Sequence, residues 1–212
     1  MMAQYFVMHP RNPQARLVRA TADIVTKGGV IAYPTDSCYA LGCALENKAG
    51  RDRICRLREL DPKHPFTLVC RDLSDLATYA QVDNSAYRIL RAHTPGPYTF
   101  VLPATHEVPR RLLDPKRRTI GVRVPDHIVT QALLAQLGAP LMSVSLILPG
   151  DDAPLGNPVE IRERLEHAVD AVIDGGPCLR DWTSVVVWED HEFRVHRAGA
   201  GDTSMFAPRE GG

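Results

Sequence analysis

Val30 to Cys43, VIAYPTDSCYALGC, constrains this chain more than any other stretch. Val30-Ile31-Ala32-Tyr33 is an apolar, β-prone run. Pro34 stops any strand ladder there, because it has no N–H to donate. Thr35, Asp36 and Ser37 follow, three short polar side chains that bond readily to backbone or ligand. Tyr39-Ala40-Leu41-Gly42-Cys43 returns to apolar character. A buried strand that breaks into a hydroxyl-rich turn and re-enters apolar structure sets polar groups at the edge of a core. Taken alone, the stretch also fits an ordinary strand–turn with a satisfied Asx or Ser/Thr turn.

Around it, strands and helices intermix. Tyr5 to Met8 reads as a strand. Asn12-Pro13 reads as a helix start, with Asn as N-cap and Pro at the first helical position; Gly28-Gly29 ends that helix. Asn47 caps a helix over 48–60, with Ile54, Leu57 and Leu60 inward. Phe66 to Cys70, Tyr98 to Leu102, Ile120 to Val124, Leu141 to Leu148 and Ala171 to Asp174 read as strands. Helices are expected over 74–79, 85–93 and 128–137 and after Asn157-Pro158. A hairpin is expected over Val185–Trp188 and Phe193–His196. Some strands are joined by helices and others by short turns, and no linker or repeat divides the 212 residues. The expected fold class is α+β, one domain over residues 1–207 with a mixed sheet. The Gly-, Ala- and Pro-rich tail from Ala198 is expected to fray, with 208–212 outside the domain.

The formal net charge is zero, so the total says nothing about a polyanionic partner, but its distribution does. Arg51, Arg53, Arg56, Arg58, Lys63 and Arg71 fall in one window; Arg110, Arg111, Lys116, Arg117, Arg118 and Arg123 fall in another. Twelve of the 25 lysines and arginines thus lie in two short stretches. Brought together they would form an electropositive surface for phosphates; kept apart they are solvated faces. The five cysteines are odd in number and form no CxxC, which fits free thiols in a reducing compartment. No His/Cys spacing resembles a zinc site. The first residues lack a long apolar run and no stretch nears 18 apolar residues, so a cytoplasmic protein without a membrane span is expected.

The P-loop, GxGxxG, HExxH and GxSxG signatures are absent. What remains is a set of hydroxyl and arginine residues at strand ends: Ser37, Thr119, Arg123, Ser143, Ser145, Thr183 and Arg197. Such groups suit a carboxylate and a polyphosphate, which want donors and positive charge. None is an evident nucleophile, so chemistry here works by positioning and charge stabilisation. Each also has a structural use: Arg123 as a core-edge salt bridge, Ser143 and Ser145 as backbone partners, Arg197 as a surface charge.

Together the motifs resemble a known family. Tyr33 to Gly42 (YPTDSCYALG) is similar to the YPTETVYGLG signature of the YrdC-like family, the threonylcarbamoyl-adenylate synthases. Thr94 to Phe100 resembles its WPGPLT segment, Gly121 to His127 its AVRVPDHP strand end, and Ser143-Val144-Ser145 with Leu148-Pro149-Gly150 its STSANLSG. Thr183-Ser184-Val185 and Arg197-Ala198-Gly199 resemble its late motifs. The motifs run in order along nearly the whole chain, and PTDS, Pro109–Leu112 and Lys116–Gly121 are closest to the YciO branch. The resemblance implies a twisted mixed sheet flanked by helices, with a large concave basic cleft. It implies nucleotidyl transfer in which L-threonine, bicarbonate and ATP, with Mg²⁺ accompanying the nucleotide, become threonylcarbamoyl-AMP for tRNA N6-threonylcarbamoyladenosine. By the same resemblance Ser37, Arg123, Ser143 and Thr183 hold the threonine end, and Arg58, His64, Thr119, Ser145 and Arg197 face ATP or AMP. Members of the family also bind double-stranded RNA or tRNA.

Two departures stand out. The family's KxR motif falls on Arg58-Glu59-Leu60, or on Arg56-Leu57-Arg58 after a two-residue shift. Its SxN motif falls on Ser145-Leu146-Ile147. Leu60 cannot donate to a phosphate and Ile147 has no amide. Each lost charge-assisted hydrogen bond is worth roughly 1.5–3 kcal/mol. Three readings stay open: a synthase with weakened activity, a related enzyme using another acyl or carbamoyl substrate, and a YciO-type nucleotide- and RNA-binding protein without strong synthase activity.

Overall fold

The apolar runs on either side of the PTDS turn become two antiparallel strands, Ile31–Tyr33 and Ala40–Ala44. The computed structural model describes residues 2–114, 116–179 and 181–206. Among the described residues there are ten strands: β1 (Gln4–Val7), β2 (Ile31–Tyr33), β3 (Ala40–Ala44), β4 (Thr67–Val69), β5 (Tyr98–Pro103), β6 (Thr119–Arg123), β7 (Leu141–Ser145), β8 (Ala171–Asp174), β9 (Ser184–Glu189) and β10 (Glu192–Arg197). Six α-helices accompany them: α1 (Ala15–Thr26), α2 (Lys48–Leu57), α3 (Leu73–Tyr79), α4 (Asn84–His93), α5 (Ile128–Leu137) and α6 (Pro158–Leu165). All strands join one mixed sheet in the order β1-β8-β2-β3-β7-β4-β6-β5-β9-β10. The single-domain mixed-sheet architecture is the expected one.

Strand alternation decides where the site lies. One face carries Leu41, Leu68, Phe100, Leu102, Ile120, Val122 and Met142 into the main core, beneath Ile54 of α2, Leu76 of α3, Leu90 of α4 and Ile161 of α6. The opposite face is covered only at one end. There Ile31, Tyr33, Ala40, Val69, Leu141, Ala171 and Ile173 pack under Val18 and Val25 of α1 and Val129 and Leu133 of α5. Farther along the sheet the same face bears Thr67, Thr99, Thr119, Gly121, Ser143 and Ser145 and, among the described residues, has no α-helix over it, leaving a cleft.

Capping follows the sequence at four helices. The side-chain oxygens of Asn47, Asp72, Asp83 and Asn157 accept N–H groups of the first turns of α2, α3, α4 and α6. Helix α1 departs from expectation. Asn12 caps nothing, because the His9 ring takes the N–H groups of Arg11 and Asn12, and the helix begins at Ala15. The strand expected to reach Leu148 stops at Ser145, where the Ile147 N–H turns back to the Ser145 carbonyl. All five cysteines are free. Among the described residues no helix is long and apolar enough to cross a membrane.

The tail is not frayed over its described part. Ser184, fully buried, donates from Oγ to the Gly201 carbonyl at 2.6 Å and accepts the Gly199 N–H at 2.9 Å. The Tyr98 hydroxyl donates to the Asp202 carbonyl, and Phe206 is buried against Tyr98, Phe193 and His93. Residues 208–212 lie outside the described residues. Ser184→Ala leaves both backbone groups without their partner, so it is expected to lower stability by about 1–3 kcal/mol in urea unfolding. A change under about 0.5 kcal/mol would show that this segment contributes little to the fold.

Candidate functional site

The cleft has a volume of about 760 Å³ and runs lengthwise over β7, β4, β6, β5 and β9. Its floor is a row of small and hydroxyl side chains. Ser143 sits opposite Thr67, and Thr67 opposite Gly121. A Cβ at Gly121 would come within 3.2 Å of Thr67 Oγ1, so glycine keeps the floor flat there. Strand β6 sets the length. Thr119 and Arg123 are its first and last residues, roughly 13 Å apart at the rise of an extended strand.

At the Arg123 end, the guanidinium is buried and meets the PTDS turn. Its Nη2 donates to Thr35 Oγ1 at 3.3 Å and Ser37 Oγ at 3.1 Å, and pairs with the Asp36 carboxylate. Arg123 Nε and Asp36 Oδ2 are buried without a partner among the described residues. Thr183 Oγ1 lies 3.0 Å from Thr99 Oγ1. Arg197 donates from Nη2 to the Thr183 carbonyl at 3.1 Å and lies over the Trp182 ring at 5.3 Å. Midway, Ser143 Oγ donates to the Leu41 carbonyl at 2.9 Å and lies 2.7 Å from the Tyr33 hydroxyl. With its proton on the carbonyl, Ser143 accepts from Tyr33. Burial pushes the Tyr33 pKa up to about 12, so this hydroxyl stays protonated.

At the Thr119 end, Arg58 donates from Nε to the Ile147 carbonyl at 2.6 Å. His64 lies beside it, its pKa held below the ordinary histidine value by burial, then by the charges of Arg58 and Arg51. Thr119 and Ser145 complete this end. Burial also lowers the pKa of Arg58 and of Arg197, the mark of guanidinium groups short of water. Cys38, beside Ser145 and Ser37, is held as a thiol by burial.

Eight of the nine residues singled out in the sequence line this cleft: Arg58, His64, Thr119, Arg123, Ser143, Ser145, Thr183 and Arg197. Ser37 does not. It is fully buried, with its hydroxyl turned to Arg123, so it positions that guanidinium instead of forming a wall. Arg197, grouped by resemblance with the nucleotide residues, stands at the Arg123 end, because β10 pairs Arg197 with Val185 and β5 pairs Val185 with Thr99.

The two basic windows do not merge. Only Arg58, Arg117 and Arg123 of the twelve line the cleft. Arg51 stacks on Phe66, Arg53 binds Asp170 and the Ala168 carbonyl, Arg71 pairs with Asp72, and Arg111 holds Leu45 and Glu46. Trp182, Glu189, Arg194 and His196 line the cleft without having been singled out, and Arg117 joins them from the second basic window. For Arg194 and His196 the available signal was a charged strand facing an apolar one across a hairpin. The two departures also separate: Ile147 lines the cleft, whereas Leu60 packs against the main core.

A family model described as Sua5_yciO_yrdC, telomere recombination, matches residues 23–199. The protein YciO of Escherichia coli (strain K12), itself named uncharacterized, is 53% identical over 205 residues, covering 97% of this chain and 100% of its own length. Its crystal structure superposes with a TM-score of 0.93. The threonylcarbamoyl-AMP synthase of Hydrogenovibrio crunogenus is 34% identical over 139 residues, 64% of this chain and 74% of that protein. The fold of P. abyssi Sua5 complexed with L-threonine matches with a TM-score of 0.84 at 22% identity, over 92% of this chain and 57% of that one.

Proposed function

Because the chain belongs to the Sua5/YciO/YrdC family, we propose that its cleft binds ATP and a carbamoylated L-threonine and joins them, slowly, into threonylcarbamoyl-AMP. A carbamate oxygen attacks the α-phosphorus, the bond from that phosphorus to the bridging oxygen breaks, and pyrophosphate leaves. The substrates upstream are L-threonine and bicarbonate, and the product serves tRNA N6-threonylcarbamoyladenosine formation in the cytoplasm. The chain is distantly related to a threonylcarbamoyl-AMP synthase, and a Sua5 fold has been seen with L-threonine.

One observation carries the reading. A single cleft offers a buried guanidinium among hydroxyls at Arg123 and, along β6, a second guanidinium at Arg58 with the His64 imidazole beside it. The first suits a carboxylate and the second suits phosphates. Neither end offers a base-activated nucleophile, which agrees with catalysis by positioning and charge. Among the described residues no group of three His, Cys, Asp or Glu is placed to hold a metal ion. Mg²⁺ is expected to accompany ATP on its phosphates, as part of the substrate.

Incubation of purified protein with ATP, L-threonine and bicarbonate is expected to yield threonylcarbamoyl-AMP by mass spectrometry, with ATP and AMP binding measurable by calorimetry. Failure to bind either nucleotide at millimolar concentration would remove the proposal. A second reading, nucleotide and double-stranded RNA or tRNA binding without strong synthase activity, is favoured by the apolar Ile147 in the cleft wall. It predicts nucleotide binding without product, and RNA binding that weakens steeply with salt.

A further inference from the structure

Arg117 and Glu189 form an ion pair across the mouth of the cleft, from elements far apart in sequence. Arg117 lies two residues before Thr119, the start of β6, and Glu189 is the last residue of β9. The register runs Thr119 opposite Pro103, with Val101 opposite Val187, so Glu189 lies level with Thr119 two strands away. Arg58 approaches from the other side, anchored through Nε to the Ile147 carbonyl. Its Nη groups have no hydrogen-bond partner among the described residues. Two guanidinium groups thus flank Thr119 from opposite walls, one of them covered by a carboxylate.

We infer that Arg117 is a further phosphate-binding residue of the nucleotide end, and that Glu189 covers its guanidinium until a polyphosphate displaces it. The inference rests on the nucleotide reading above and adds a determinant of triphosphate over monophosphate. The side chains are 65% and 36% exposed, and an ion pair that open is worth at most about 1 kcal/mol. A phosphate offers the same guanidinium a charge-assisted, bidentate contact of greater strength. Glu189 has solvent to turn toward once released. Arg117 stands at the end of the cleft remote from Arg123, where the outer phosphates of ATP lie if the acyl group is at Arg123. AMP has no phosphate there.

Calorimetry with ATP and with AMP tests this on the full chain. Arg117→Gln is expected to weaken ATP binding about 10- to 100-fold and to leave AMP binding within about twofold. Glu189→Gln is expected to tighten ATP binding about 2- to 5-fold, and that gain is expected to vanish in the Arg117→Gln background. Arg117 is exposed and Glu189 half-buried, and thermal melts of the variants should match the parent. Equal losses for ATP and AMP, or a gain from Glu189→Gln that persists without Arg117, overturn the inference. So does ATP binding that is indifferent to Arg117, which leaves the nucleotide reading standing. Absence of any nucleotide binding by the parent protein overturns both.

Discussion

Arg123→Ala is expected to lower the unfolding free energy by about 3–5 kcal/mol, the usual effect of removing one partner of a buried ion pair. The side chains of Arg123 and Asp36 are 6% and 11% exposed. Truncation leaves the Asp36 carboxylate in the protein without its counterion, and Thr35 and Ser37 lose a shared donor. The arginine therefore serves the fold whether or not it also serves a substrate, and loss of activity in the single variant is uninformative. The double variant Arg123→Met/Asp36→Leu separates the roles. Replacing both charges by apolar groups of similar volume is often near neutral, so urea unfolding should recover most of the loss. If Arg123 also holds a carboxylate, the recovered protein makes no threonylcarbamoyl-AMP. A folded double variant with undiminished activity would reduce Arg123 to its salt bridge. A loss under about 1 kcal/mol in the single variant would contradict the buried pair itself.

That double duty shows how far the sequence could be read. The run, break and return of Val30 to Cys43 located β2, the turn and β3, because Pro34 and the apolar runs act locally. Which of Thr35, Asp36 and Ser37 faces outward is not local. All three turn toward one guanidinium that arrives 86 to 88 residues later. The sequence allows Arg123 both a core-edge salt bridge and a ligand contact, and the structure grants the salt bridge without removing the other. Ser143 likewise satisfies the Leu41 carbonyl and still lines the cleft. The two outcomes open for the basic windows could not be separated in the sequence for the same reason. An arginine's use depends on its partner, and the partners of Arg53 and Arg117 are 117 and 72 residues away. Strand alternation, by contrast, put Ser143 and Ser145 on one face correctly.

The largest gain of function is expected from one substitution, Ile147→Asn, which should raise threonylcarbamoyl-AMP formation about 10- to 100-fold. Motif comparison makes Ile147 the firmer departure, since only the KxR motif has a second register, and the positions of Leu60 and Ile147 differ as well. Ile147 lines the cleft, and its carbonyl already holds Arg58 at the Thr119 end. An amide there adds a donor beside that guanidinium, where a transferring phosphoryl group gathers charge. Leu60 instead follows Glu59, whose φ of 51° marks the tight turn closing α2, and its side chain packs against the main core. Leu60→Arg adds a charge away from the cleft and is expected to cost about 1–3 kcal/mol of stability without a gain in rate. The kinetics should therefore show Ile147→Asn raising kcat and the double variant doing no better. Rescue that requires both substitutions would mean that residue 60 reaches the nucleotide after all. A folded Ile147→Asn protein that binds ATP but gains no activity would mean that this wall was shaped for an acyl group other than carbamoylated threonine.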